Sequence, residues 1–297
     1  ESRSRRQLKG MFGQYVPPQI VQEMSENPQK YSFEGDTREL SVLFADIRGF
    51  TTLSESLGPQ GIVSVLNEYF TLMVDCITRE GGMLDKFIGD AIMAEFGLPV
   101  PHDDDEDRAV RAAISMMRDM NAWNTERATK GMLTIDMGIG LNTDEVVSGN
   151  IGSPKRMDYT VIGDGVNLAS RLESACKQYA THILISENTY RQVKGTYRTR
   201  EVDLVVVKGK TQPVAIYEVL DYHTDASFPN IMDCVNQFRA GIKHYREGSW
   251  DRAIGGFQEA LKANPADKLS TIYIERCEHL KAAPPEKWDG VYVMKSK

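Results

Sequence analysis

Two carboxylates in two short segments, Asp46 and Asp90, constrain this chain more than anything else in it. Ser41-Val42-Leu43-Phe44-Ala45 ends in Asp46 and passes into a Gly-containing turn, Ile47-Arg48-Gly49. A brief apolar run bounded by turn residues predicts a buried strand, near Leu40 to Asp46. Met83 to Phe96 predicts a tight β-hairpin with Asp90 at its tip. Either acid alone is an ordinary turn former. Taken together, hard carboxylate oxygens at strand ends beside exposed backbone amides suit Mg²⁺ bound with substrate phosphates, which points to phosphoryl chemistry on a nucleoside triphosphate.

A third segment runs from Met157 to Ser174. It predicts a helix over Val166–Cys176 with Asp164 as N-cap. Asn167 and Arg171 are four apart and project from one face, beside an apolar face of Leu168 and Leu172. An amide and a guanidinium near a helix N-terminus can orient a ribose and hold a phosphoryl oxygen. Helical spacing alone equally allows a solvated face with Arg171 paired to Glu173 or Asp164.

Ser41–Thr51, Leu84–Phe96, Tyr159–Ser174 and Val207-Lys208-Gly209-Lys210 together resemble the class III nucleotidyl cyclases, specifically adenylyl cyclases of bacterial and cyanobacterial type. The resemblance covers roughly Arg38 to Val219, with the four motifs in the family's order and spacing. It implies an α+β fold, the ferredoxin-like βαββαβ palm, converting ATP to 3′,5′-cyclic AMP and pyrophosphate. Asp46, Asp90 and the Ile47 backbone would be the ligands of two divalent metal ions, Mg²⁺ by default and Mn²⁺ or Ca²⁺ as substitutes. The turn through Ile47, Gly49, Phe50 and Thr51 would offer amides to the triphosphate, and Lys208 would bind its terminal phosphates. Lys86 and Thr160 would read the purine, Asn167 would orient the ribose, and Arg171 would stabilise charge on the α-phosphate. In the family, metal ligands and base and transition-state residues come from different subunits, so a homodimer with shared sites is implied. No histidine stands in these motifs, and no histidine base is expected.

Base choice rests on two donors and acceptors. A lysine ammonium donates to adenine N1, and a threonine hydroxyl accepts from the exocyclic amine. Guanylyl members carry an acid at the Lys86 position and usually cysteine at the Thr160 position, which opposes a guanylyl cyclase here. Many adenylyl members have Asp where this chain has Thr160. Thr resembles the subgroup often linked with bicarbonate, so bicarbonate is an expected regulator. The competing class is a non-catalytic, cyclase-derived regulatory module. Joint presence of Asp46, Asp90, Asn167 and Arg171 favours an enzyme. The signature of the diguanylate cyclases is absent.

The remaining elements fit around these motifs. Gly61–Thr78 and Asp103–Thr125 predict helices, the acidic stretch Asp103–Asp107 marking the start of the second. Leu133–Leu141 alternates as a half-buried strand, and Val146–Gly152 continues toward a loop. His182–Ile185 predicts a short strand, and Arg200–Lys208 and Val214–Leu220 a strand pair. From Asn230 the pattern is helical, and Phe238, Gly241, Tyr245, Ala253, Phe257, Ala260 and Pro265 follow tetratricopeptide spacing. Helices are expected at Val235–Glu247, Trp250–Ala263 and Leu269–Lys281, too few for an independent array and so packed on the catalytic domain or its dimer mate. Three parts result: a lead-in over 1–38, a catalytic domain over 39–222, and a helical segment with tail over 223–297.

The 297 residues, 41% hydrophobic and 26% charged, match a soluble globular chain. A net charge of −7 argues against broad nucleic-acid binding. No apolar run of transmembrane length and no signal peptide stand out, and a cytoplasmic location is expected. Glu rather than Met opens the chain, so upstream sensor domains or membrane spans are expected to be missing. The four cysteines form no Cys-x-x-Cys pair and read as packed, reduced thiols.

Overall fold

The computed structural model describes residues 17–27, 35–206 and 211–291. Lys208 and its motif, Val207–Lys210, lie outside the described residues, as do Ser4–Lys9 and Met11–Val16. The strands β1 (Asp36–Ile47), β2 (Met83–Ile88), β3 (Ala91–Phe96), β4 (Met137–Ser153), β5 (Arg156–Ile162), β6 (Ile183–Ser186), β7 (Thr199–Val205) and β8 (Val214–Val219) form one sheet. Its order is β2-β3-β1-β4-β6-β8-β7, with β5 paired to β4. Pairings are antiparallel except β4 with β6. Among the described residues the helices are α1 (Pro18–Glu26), α2 (Phe50–Arg79), α3 (Asp105–Thr129), α4 (Asp164–Gln178), α5 (Glu187–Gln192), α6 (Ile231–Arg246), α7 (Trp250–Ala263) and α8 (Lys268–Ala282). This is the α+β palm expected from the alternation of strands and helices, with helices added at the C-terminus.

The Leu40–Ala45 stretch of β1 is apolar but for Ser41 because both of its faces are covered. Leu43, Ala45 and Ile47 join the core built from α2 and α3, whereas Leu40 and Val42 pack with Ile20, Met83 and Met93 on the other side. Among the described residues α2 is the one helix long and apolar enough to cross a membrane, a length the sequence did not suggest. Its Ile62, Val65, Tyr69, Met73 and Ile77 are instead buried in the core.

Several boundaries differ from expectation. α2 begins at Phe50 rather than Gly61, because Gly58 at φ +68° and Pro59 kink the helix without ending it. β4 begins at Met137 rather than Leu133, because the Asn124 side chain takes both the N–H and the C=O of Ile135, as a neighbouring strand would. Val146–Gly152 does continue toward a turn, as part of β4, which runs to Ser153; the added finding is its partner, β5, paired from Val147↔Ile162 to Ser153↔Arg156. Asp164 is the first residue of α4, Gly163 occupies the N-cap, and no side chain caps the helix. Asp105 and Asp107 begin α3 as expected, yet they are buried anchors. Asp105 accepts from the His102 amide, and Asp107 from the amides of Lys194 and Gly195 and the Tyr197 hydroxyl.

The C-terminal helices dock on α4 and the β6-β8-β7 side of the sheet, sharing one core with Leu172, Tyr179, Leu184, Val202 and Ile216. Gly241 lets α6 and α7 meet: a Cβ there would stand 2.6 Å from the Phe257 ring. Arg200 on β7 binds Glu218 on β8 at 2.8 Å and Asp267 before α8 at 2.9 Å, and Arg276 on α8 binds Asp203 at 2.8 Å. The Trp288 indole donates to the Tyr245 carbonyl and packs edge-on to Trp250, which pins part of the tail. All four thiols are free and buried, and burial pushes each up to about 12.

Candidate active site

The sheet brings the two acids together. β1 and β3 are neighbours in register, Ala45 opposite Ile92, so the end of β1 and the turn before β3 lie at the same edge. The Asp46 carboxyl stands close enough to Asp90 to share a proton. Burial, then contact with Asp90, then the charges of Asp90 and Glu173 push Asp46 up to about 8, against the opposing Ile47 amide. Asp46 Oδ1 and Asp90 Oδ2 are buried with no hydrogen-bond partner among the described residues. Buried acceptors left bare cost stability. Two of them side by side form an arrangement a cation would relieve.

α4 supplies the third acid through close packing. Gly138 pairs with Asp46 across the ladder, and Gly140 follows on the same face. A Cβ on Gly140 would lie 2.3 Å from both the Ala169 carbonyl and the Glu173 amide. Only glycine permits this approach, which sets Glu173 beside the pair. Burial raises the Glu173 carboxyl, and Asp90 raises it further. Tyr69 on α2 is fully buried behind the acids, its hydroxyl unpartnered among the described residues and its ionisation suppressed by burial and by these carboxylates.

The turn after β1 ends at Gly49 (φ +65°), the N-cap of α2, and no side chain caps that helix. Its first amides therefore lack intrahelical acceptors and face outward with the positive end of the helix dipole. Arg48 anchors the turn by donating to Asp136 and to the Thr181 carbonyl, while His182 holds Asp136 from the other side at 2.9 Å.

Lys86 and Thr160 meet through a residue the sequence reading passed over. Thr160 Oγ1 donates to Asp85 Oδ2 at 2.6 Å, and Lys86 Nζ lies 3.7 Å from Asp85 Oδ1. Asn167 and Arg171 share the exposed face of α4, next to an open depression lined by Ser174, Ala175, Lys177 and Gln178. Neither side chain makes a hydrogen bond or ion pair among the described residues. Within one chain, then, Asp46 and Asp90 come together beside the turn, Lys86 and Thr160 meet at Asp85, and Asn167 and Arg171 stand apart on α4.

The donor set fits divalent cations held together with a phosphorylated substrate. Among the described residues no group of three or more His, Cys, Asp and Glu side chains could hold a metal ion by itself. Two bare carboxylates must share a cation with carbonyl, water or phosphate oxygens, as Mg²⁺ commonly requires. Sequence reading also missed Glu95, a lone acid inside the apolar run Ile92–Phe96. That isolation was the available signal.

The sequence pattern of the adenylate and guanylate cyclase catalytic domain matches residues 34–220. The terminal-differentiation-specific adenylate cyclase of Dictyostelium discoideum is 34% identical over 91% of this chain and 13% of its own length. The adenylate cyclase of Anabaena cylindrica is 43% identical over 62% of this chain and 37% of its own. The chain thus spans well under half the length of these relatives. Among solved structures, the adenylyl cyclase CyaB from P. aeruginosa is 39% identical, with TM-score 0.58, over 65% of this chain and 98% of that one. The guanylyl cyclase Cya2 is 42% identical, with TM-score 0.57, over 62% and 93%. This chain belongs to the adenylate and guanylate cyclase catalytic domain family.

Proposed function

We propose that the chain is an adenylate cyclase that forms 3′,5′-cyclic AMP and pyrophosphate from ATP at sites shared by two copies. The observation that carries this is the pair of bare, buried carboxylate oxygens on Asp46 and Asp90 beside the uncapped start of α2. Asp46, Asp90 and the Ile47 carbonyl would hold two divalent ions, which when bound lower the pKa of the ribose 3′-hydroxyl and neutralise triphosphate charge. The free amides around Gly49, Phe50 and Thr51 bind the triphosphate, and Lys208 its far end. Lys86 donates to adenine N1, and Thr160 accepts from the amine. Asn167 holds the ribose so that its 3′-oxygen points at the α-phosphorus, and Arg171 pairs with the charge that builds on the α-phosphoryl oxygens.

Dimerisation is supported by the freedom of Asn167 and Arg171 within one chain and by an apolar surface. Phe87 and Ile88 on the hairpin, and Val147 and Ile162 paired on β4 and β5, are exposed. Overall likeness does not choose the base, since an adenylyl and a guanylyl cyclase are similarly near; Lys86 and Thr160 favour ATP. Thr160 supports kinship with the bicarbonate-linked subgroup, and rates with and without bicarbonate are then expected to differ. Residues 39–222 form the catalytic part. The tetratricopeptide-like helices of 223–297 brace it, because their apolar faces are already spent on the shared core. Packed thiols and an ATP substrate accord with a cytoplasmic site of action, with sensors upstream. The test is cyclic nucleotide formation by the purified chain from ATP or GTP with Mg²⁺, across protein concentrations. Cyclic AMP at a specific activity that rises as dimers form is expected. Absence of cyclic product from folded, dimeric protein, with Mn²⁺ as well, would refute the proposal.

A further inference from the structure

A second carboxyl pair stands behind Thr160. Register runs from Leu84↔Ala94 to Lys86↔Met93, which leaves Asp85 as the extra residue of a β-bulge. A regular strand would send Asp85 and Lys86 to opposite faces; the bulge re-aims them. The Asp85 side chain is 1% exposed, takes the Thr160 hydroxyl proton on Oδ2, and keeps Oδ1 without a donor among the described residues. Glu95 lies across the hairpin, opposite Val42 and Met83, and is 0% exposed. Neither of its oxygens has a partner among the described residues, and its carboxyl reaches Asp85. Burial first, then the neighbouring Asp85 carboxyl, raises Glu95 well above the usual carboxylate range, which favours its neutral form.

A hydroxyl has one proton to give. With that proton held by a buried carboxylate, Thr160 presents only lone pairs to a base. Adenine offers an amine donor on that edge and guanine a carbonyl acceptor. We infer that Asp85, backed by Glu95, is the positioning residue for base choice: it locks Thr160 as an acceptor and so excludes GTP. This rests on the proposed contact of Thr160 with the base. Asp85→Asn tests it, because an amide can donate to the hydroxyl as well as accept, which frees Thr160 to turn its proton toward guanine. Glu95→Gln retains an N–H donor for Asp85 and serves as the conservative control.

The readout is kcat/KM for ATP over that for GTP in the full chain. Asp85→Asn should lower the ratio about tenfold or more, the scale of one misdirected buried hydrogen bond. Glu95→Gln should hold it within about twofold, and in a Thr160→Val background Asp85→Asn should no longer change it. An unchanged ratio in folded Asp85→Asn overturns the inference, as does an equal fall in the Thr160→Val background. A Glu95→Gln ratio that falls as far as that of Asp85→Asn overturns the role given to the Glu95 proton, since glutamine keeps a donor there. Should Asp85→Asn not fold, Asp85→Ser carries the same expectation. If the unaltered chain makes no cyclic product, the cyclase reading fails separately. Dissociation constants for the α,β-methylene analogues of ATP and GTP then decide: an ATP preference lost in Asp85→Asn upholds the inference, and one retained overturns it.

Discussion

Arg200→Met should unfasten the C-terminal helices from the catalytic sheet. Arg200 sits between two acids, Glu218 and Asp267, and all three side chains are 3–4% exposed. Its guanidinium also lies 4.8 Å from the centre of the Phe238 ring, a contact a methionine can keep. The substitution therefore removes the cation, preserves most of the packing, and leaves two carboxyls facing each other out of water. Removing one partner of a buried ion pair costs about 3–5 kcal/mol. At about 2–4 °C per kcal/mol for a domain of this size, the midpoint of thermal unfolding should fall by about 6–20 °C. The deficit should shrink on acidification, because carboxyls stranded in the fold take up protons at higher pH than in the unfolded chain, so low pH favours the folded variant. The triple variant Arg200→Met, Glu218→Leu, Asp267→Leu should recover most of the loss, since an apolar cluster of similar volume replaces charge at little cost. Differential scanning calorimetry reads all three species. Asp251→Asn, which cuts the exposed pair with Lys281, is the control and should leave the midpoint unchanged. A single variant no worse than that control, or a triple variant no better than the single, would refute the reasoning.

Other substitutions probe the site and its supports. Asp46→Asn should cut cyclic product formation by at least about a hundredfold yet leave the unfolding midpoint unchanged or raised, since it relieves a crowded buried acid; parallel loss of stability would contradict this. Arg171→Ala should lower kcat by about two to three orders of magnitude with KM within a few-fold, measured by initial rates. Gly241→Ala forces a methyl against the Phe257 ring at 2.6 Å and should cost about 1–3 kcal/mol in urea unfolding. His223 is held down to about 4 by burial and by the charges of His182 and Arg200, against an ordinary 6.5. The unfolded chain binds the extra proton in that interval, so stability should fall as pH drops from 6.5 to about 4, and His223→Gln should flatten that slope in melting curves.

Local pattern made the strands and acids of the site legible. An apolar run stopped by Asp46 and a hairpin tipped by Asp90 need no long-range information, because strand length and turn chemistry are properties of a few adjacent residues. The C-terminal helix pair was equally plain, and Trp250–Ala263 falls where its periodicity places it. Harder to read were features set by a distant partner. Asn124 replaces a strand neighbour for Ile135, and β5 forms only because β4 runs on beside it.

What the sequence by itself determined is the menu of chemistry: two hard acids, an uncapped amide turn, and an amide with a guanidinium on one helical face. Tertiary structure alone decided how those groups behave. Asp46 is pushed toward neutrality because folding buries it against Asp90 and Glu173, three acids far apart in the chain. Asp85 and Glu95, ordinary charges in a hairpin sequence, become a buried carboxyl pair because one bulged residue turns Asp85 inward and the fold encloses Glu95 completely. The physical reason is the same in both cases. A carboxyl's identity is written in the chain, but its charge depends on the dielectric and the neighbours that packing assembles around it.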